Sequence, residues 1–268
     1  MSSYAKSCHQ LLKIIVPAAM LLAATPAFAQ NRVALVIGQS AYKSVPALPN
    51  PINDARAVTQ LLTDSGFDVS SAADLSQNEL RTAVRDFAGK IAAKGPDTVA
   101  LMFYAGHGIQ VDGENFLIPT DVDPKREADI PMQAVRLNDV LNTLTSVPSK
   151  MRFLLLDSCR NNPFPELSKS AGSGLAIVDA KVGAPGTFLS FSTSPGAVAE
   201  DGNGVNSPYT TALLDAVKQP DIPIEETFKR TRVAGRVRST TAPPATTGCR
   251  TGPLRPRTGV RAVGPSAR

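Results

Sequence analysis

The sequence predicts an α/β protein built on a parallel sheet covered on both faces, and two observations predict it. The strongest apolar runs, Arg32–Gly38, Thr98–Tyr104 and Arg152–Asp157, are continuous rather than alternating, as in strands buried on both sides. The segments between them place apolar residues at helical spacing, so helices separate the strands and cover the sheet. A chain of 268 residues with 43% hydrophobic and 19% charged residues suits one domain with short appendages.

In chain order, Arg32–Gly38 reads as the first buried strand, ending in glycine. Ala57, Val58, Leu61 and Leu62 give a helix over Asn53–Ser65, and Gly66–Val69 a second strand. Leu75–Ala93 reads as a helix with Leu80, Val84, Phe87 and Ile91 along one stripe. Thr98–Tyr104 is the clearest strand; it leads into Ala105-Gly-His-Gly108 and a hairpin around Asp112-Gly113. A helix follows over Leu137–Leu144, then the strand Arg152–Asp157, which runs into Ser158-Cys159. Gly186–Phe191 reads as a further strand, and Pro208–Val217 and Ile224–Val233 as helices.

The two ends are set apart by charge. Residues 1–29 carry Lys6 and Lys13, an apolar run Ile14–Ala24 and Ala27-Phe-Ala29 before Gln30, which reads as a signal peptide. From residue 236 to 268 the chain holds seven arginines, no acid and no hydrophobic periodicity, and reads as a disordered basic tail. The domain at 30–235 is left with 19 basic against 23 acidic residues, so the overall charge of +5 belongs to the ends. That distribution argues against a nucleic-acid partner. A periplasmic or secreted location follows from the leader, with no stable membrane association once it is removed; an uncleaved membrane anchor is the alternative reading of the same segment. Its removal takes Cys8 and His9 with it and leaves His107, Cys159 and Cys249. Too few ligands then remain for a zinc site built from several His and Cys, and at most one disulfide is possible.

Ligands on parallel sheets bind at the carboxyl ends of the strands, and His107 and Cys159 are each expected just past such an end. A thiolate is an effective nucleophile for acyl transfer when a histidine takes its proton, and that histidine then serves as acid for the leaving amine. Gly106 and Gly108 flank His107 and let a substrate backbone approach, while the N–H groups of Gly108 and Cys159 could together hold an oxyanion. Against this stands the plain reading of a small core cysteine and a surface histidine.

Motifs extend the case. Tyr104-Ala-Gly-His-Gly108 resembles the Tyr-Ser-Gly-His-Gly signature of the caspase and metacaspase clan, and Asp157-Ser-Cys159 its Asp-x-Cys, about 50 residues downstream. Asn53-Asp-Ala55 resembles the metacaspase Asn-Asp-Ala that opens the first helix, and Ser192-Thr-Ser-Pro-Gly196 the caspase Ser-Thr-Ala-Pro-Gly. The resemblance covers residues 32–233 in order. It implies a three-layer α/β/α sandwich around a six-stranded, mostly parallel sheet, with His107 as base and Cys159 as nucleophile. It departs at Ala105, where metacaspases have serine, and at Ser239–Arg268, where their final strand has no counterpart.

The activity implied is a cysteine endopeptidase acting on peptide or protein substrates. Its first pocket is read as acidic, from Asp157, Asp54 and Asp201, and so selects Arg or Lys. Asp54 as a helix cap and Asp201 as a plain loop residue are the competing readings. No cofactor is called for; relatives that need calcium hold it with acidic loop residues, and none is assigned here. The alternative function is a caspase-fold scaffold or binding module, motivated by Ala105 and the unusual end.

The segment after Cys159 is rich in Pro, Ser and Gly, a composition that favours nicking, and relatives are cut in this connection. With an acidic first pocket, the purified protein is expected to split slowly after Lys169, with Lys181 the weaker site, while Cys159→Ala stays whole. Intact-mass analysis under reducing conditions checks this, and cleavage that persists in Cys159→Ala would remove it.

Overall fold

The computed structural model describes residues 30–159, 162–164, 166–167, 186–192, 204–219 and 222–241. Five parallel strands form the central layer: β1 (Arg32–Gly38), β2 (Asp68–Ala73), β3 (Val99–Val111), β6 (Met151–Cys159) and β7 (Thr187–Phe191). Their spatial order is β2-β1-β3-β6-β7. Two short strands, β4 (Glu114–Leu117) and β5 (Val135–Arg136), pair antiparallel beyond the end of β3. The sheet therefore has seven strands among the described residues rather than the six expected.

Side chains alternate across the sheet and build two cores. Val33, Leu35, Ile37, Met102, Tyr104, Leu154 and Leu156 pack against α2 (Gln77–Lys94) and α4 (Leu137–Thr145). Ala34, Val36, Leu101, Phe103, Phe153 and Leu155 pack on the other face against α1 (Pro51–Asp64), α5 (Pro208–Ala216) and α6 (Ile224–Thr241). The predicted stripe Leu80, Val84, Phe87 and Ile91 is buried throughout. A short α3 (Ile130–Gln133) and the β3–β4 hairpin close a smaller third cluster around Phe116, Ile118 and Ile130. The result is a three-layer α/β/α sandwich with a mostly parallel sheet.

Several boundaries differ from the sequence reading. β2 covers Asp68–Ala73 rather than Gly66–Val69, because it is an edge strand whose Ser70 and Ser71 are both exposed and carry no apolar signal. β3 does not stop at Tyr104. β1 ends opposite Ala105, and β4 then takes up the vacated edge of β3, so the strand runs on to Val111. Asp112 and Gly113, with φ of 49° and 79°, make the turn that returns the chain. α6 runs to Thr241, past Gly235, where the apolar pattern ends.

The chain steps from β1 outward to β2 and then back across β1 to β3. This reversal places α1 and α2 on opposite faces, and ligands of such sheets bind at the carboxyl ends of the strands. At that end the loop at 39–50 leaves β1, and β3 carries His107 beside it.

Candidate active site

The register of β3 with β6 sets His107 directly opposite Cys159 as their last rung. Both residues lie within strands, not past them as expected. β6 lines the edge of β3 opposite β1, so the end of β1 at Ala105 does not limit it and the two strands pair on to His107 and Cys159. Neighbouring strands lie about 4.8 Å apart, so one backbone rung brings together two residues separated by some 50 positions in sequence.

His107 is 5% exposed and is held from every side that the described residues provide. Its Nε2 lies 2.9 Å from the carbonyl oxygen of Pro46. A carbonyl only accepts, so Nε2 carries the proton and the neutral ring keeps its lone pair on Nδ1. Among the described residues, the buried Nδ1 has no hydrogen-bond partner. The ring also rests against Tyr42, with centroids 4.6 Å apart and planes at 53°. Burial pushes the imidazole below its ordinary pKa of 6.5, and the Pro46 carbonyl partly opposes the shift. The ring is therefore a neutral base near pH 7.

This burial makes stability depend on pH. Below 6.5 the unfolded chain protonates this histidine while the folded chain does not, so the unfolded state binds more protons. The contribution is intact above pH 6.5 and is lost as the pH falls from there toward the folded value. Urea unfolding between pH 7.5 and 5 should show a steeper decline for the wild type than for His107→Gln. Parallel declines would remove the assignment.

Gly106 fits where no other residue does. A Cβ there would lie 2.7 Å from Tyr42 Oη, 2.9 Å from Gln39 Cβ and 3.0 Å from Tyr104 Oη, all of them buried groups. Gly106→Ala is expected to destabilise the fold by about 1–3 kcal/mol and to displace His107, measured by urea unfolding and by peptide turnover. Stability and turnover both equal to wild type would show that the space is not as tight as described.

The loop at 39–50 that carries Tyr42 and Pro46 is itself anchored. Gln39 donates its N–H to the Ala105 carbonyl at 2.8 Å and bonds the backbone of Leu75 with both ends of its amide. Asp74 accepts from the N–H groups of Ser40 and Ala41 at 2.7 and 2.8 Å.

Gly108 pairs with Leu117, and the Ile118 N–H donates to the His107 carbonyl at 3.1 Å. That pattern makes Gly108–Leu117 a non-hydrogen-bonded pair, so the Gly108 N–H points away from β4, toward the edge where β6 ends. The direction is the one an oxyanion donor beside Cys159 requires.

Asp54 and Asp157 come together at the amino end of α5. Asp54 is 1% exposed, and its Oδ1 accepts from Asn206 Nδ2 and from the Ser207 N–H, both at 2.9 Å. Asp157 is 9% exposed, and its Oδ2 accepts from the hydroxyls of Ser207 and Thr210, the latter at 2.7 Å. Ser207 also caps α5 by accepting from Thr210 N–H. Asp54 sits in the first turn of α1, but this oxygen serves the 206–207 segment, not the cap of its own helix. Both carboxylates lie at the amino end of α5, where they accept hydrogen bonds from its first residues. Asp201, Lys169, Lys181 and Cys249 lie outside the described residues. No group of three or more His, Cys, Asp or Glu among the described residues is placed to hold a metal ion.

Sequence reasoning missed four participants: Tyr42, Pro46, Ser207 and Thr210. Pro46 acts through a backbone carbonyl, which no motif records. Ser207 and Thr210 stand at the start of the predicted helix Pro208–Val217, and Tyr42 in the segment after the first strand, with nothing local to mark them.

The caspase domain family (peptidase C14) matches residues 31–253, and the chain belongs to this family. It is similar to the human mucosa-associated lymphoid tissue lymphoma translocation protein 1, with 33% identity over 133 residues. The mouse homologue of that protein matches over the same length at 32% identity. Each match covers 49% of this chain and 15% of the relative, so this chain spans a small part of those proteins.

Proposed function

We propose that the protein is a cysteine endopeptidase that cuts after Arg or Lys through His107 and Cys159. The observation that carries this reading is the rung between them, joined to an imidazole whose Nε2 is tied to Pro46 and whose Nδ1 has no partner among the described residues. In this mechanism the Cys159 thiol gives its proton to Nδ1, and the sulfur attacks the scissile carbonyl carbon. The N–H groups of Gly108 and Cys159 stabilise the resulting oxyanion. Protonated His107 then delivers its proton to the leaving amine, which departs with the C–N bond. Water, deprotonated by the same imidazole, hydrolyses the thioester and restores the thiol. Preference for Arg or Lys rests on Asp54 and Asp157, two buried carboxylates gathered at one helix end close to the rung.

The test is turnover of Arg-, Asp- and neutral-terminated fluorogenic peptides by the reduced protein, with Cys159→Ala as control. Cys159-dependent cleavage of the Arg peptide is the expected result. Folded, reduced protein without any Cys159-dependent turnover would favour a scaffold role for the same fold.

A further inference from the structure

We propose that Tyr42 is a positioning residue for His107, closing a circuit of hydrogen bonds that fixes both the backbone and the ring of the base. The proposal rests on the reading of His107 as that base.

The circuit can be followed proton by proton. The His107 N–H donates to Tyr42 Oη at 2.7 Å. The hydroxyls of Tyr42 and Tyr104 are hydrogen-bonded to each other. Tyr104 Oη lies 2.9 Å from the His107 carbonyl and 3.0 Å from that of Ile118, and toward carbonyls it can only donate. The Tyr42 hydroxyl must then give its own proton to Tyr104. Donation then runs in one direction: His107 N–H to Tyr42, Tyr42 to Tyr104, and the single Tyr104 proton to the carbonyls of His107 and Ile118, which share it.

The same tyrosine reaches the side chain, since its ring lies 4.6 Å from the imidazole. Tyr42 also shares its loop with Pro46, whose carbonyl selects the Nε2–H form. One anchored loop thus sets the height of the His107 peptide, the tilt of its ring and its tautomer. Gly106 supplies the room, because any Cβ there would collide with both hydroxyls. Tyr42, Tyr104 and His107 are all buried, so water is a poor substitute for a missing hydroxyl. Small displacements of a reacting group are costly, with about 1 Å worth some 100-fold in rate.

Nitrogen NMR of the imidazoles in the full chain reads the ring directly, and its two histidines, His9 and His107, are told apart with His107→Gln. The expected wild-type spectrum near pH 7.5 shows His107 as the fixed Nε2–H form. Tyr42→Phe should move it toward an exchanging mixture of tautomers and lower kcat about 30- to 100-fold, with KM changed less than threefold. Tyr104→Phe opens the same circuit at its other hydroxyl and should give the same spectral change if Tyr42→Phe folds poorly. An unchanged His107 spectrum in folded Tyr42→Phe overturns the proposal, whatever happens to turnover. A wild type that never turns over peptide, yet whose His107 spectrum shifts in Tyr42→Phe, would leave the positioning role standing and sink the peptidase reading instead.

Discussion

Replacing Cys159 or His107 with alanine is expected to lower kcat/KM on an Arg-terminated peptide by about 1,000-fold or more. The double variant should lose little beyond either single one, because nucleophile and base act as a unit. The fold should persist in each variant. The rung between β3 and β6 is made by backbone, and alanine keeps that backbone in place. The His107 ring makes one hydrogen bond to protein, to the Pro46 carbonyl, and its buried Nδ1 makes none among the described residues. Steady-state kinetics with circular dichroism on the same samples checks both halves of the expectation. Full activity in Cys159→Ala would exclude the mechanism outright.

Asp157→Asn is expected to cost about 100-fold on an Arg peptide and far less on a neutral one. A guanidinium taken out of water loses its counter-charge in the variant, and breaking such a buried charged pair costs about 2–5 kcal/mol. The substitution is a clean probe because asparagine keeps a carbonyl oxygen where Oδ2 now accepts from Ser207 and Thr210. The amino end of α5 therefore retains its partners, and little should change in stability. Comparing kcat/KM for the two peptides decides the matter: equal losses on both would make Asp157 a structural residue of that helix end.

Both expectations start from residues legible in the chain. Tyr104-Ala-Gly-His-Gly108 and Asp157-Ser-Cys159 pointed to His107 and Cys159 as the candidate pair through their resemblance to the caspase and metacaspase signatures, and the apolar runs before them placed both near strand ends. The continuous apolar strands likewise announced a parallel sheet, since a strand buried on both faces has no polar side to show. Strand ends were less legible. Whether β3 stops at Tyr104 or continues to Val111 depends on β4 arriving to pair with it, a contact that local pattern does not encode. β2 was displaced for the related reason that an edge strand need not be apolar.

The class of fold, the candidate pair His107 and Cys159 and the acidic sign of their neighbours were thus legible from residue type, local period and motif. How those residues meet was not. The register that faces His107 with Cys159, the Pro46 carbonyl that sets the tautomer, the Tyr42–Tyr104 circuit and the joining of Asp54 to Asp157 through Ser207 are contacts across long stretches of chain. Most of them use backbone donors or acceptors, which every residue possesses and which therefore leave no mark in a sequence until folding chooses among them.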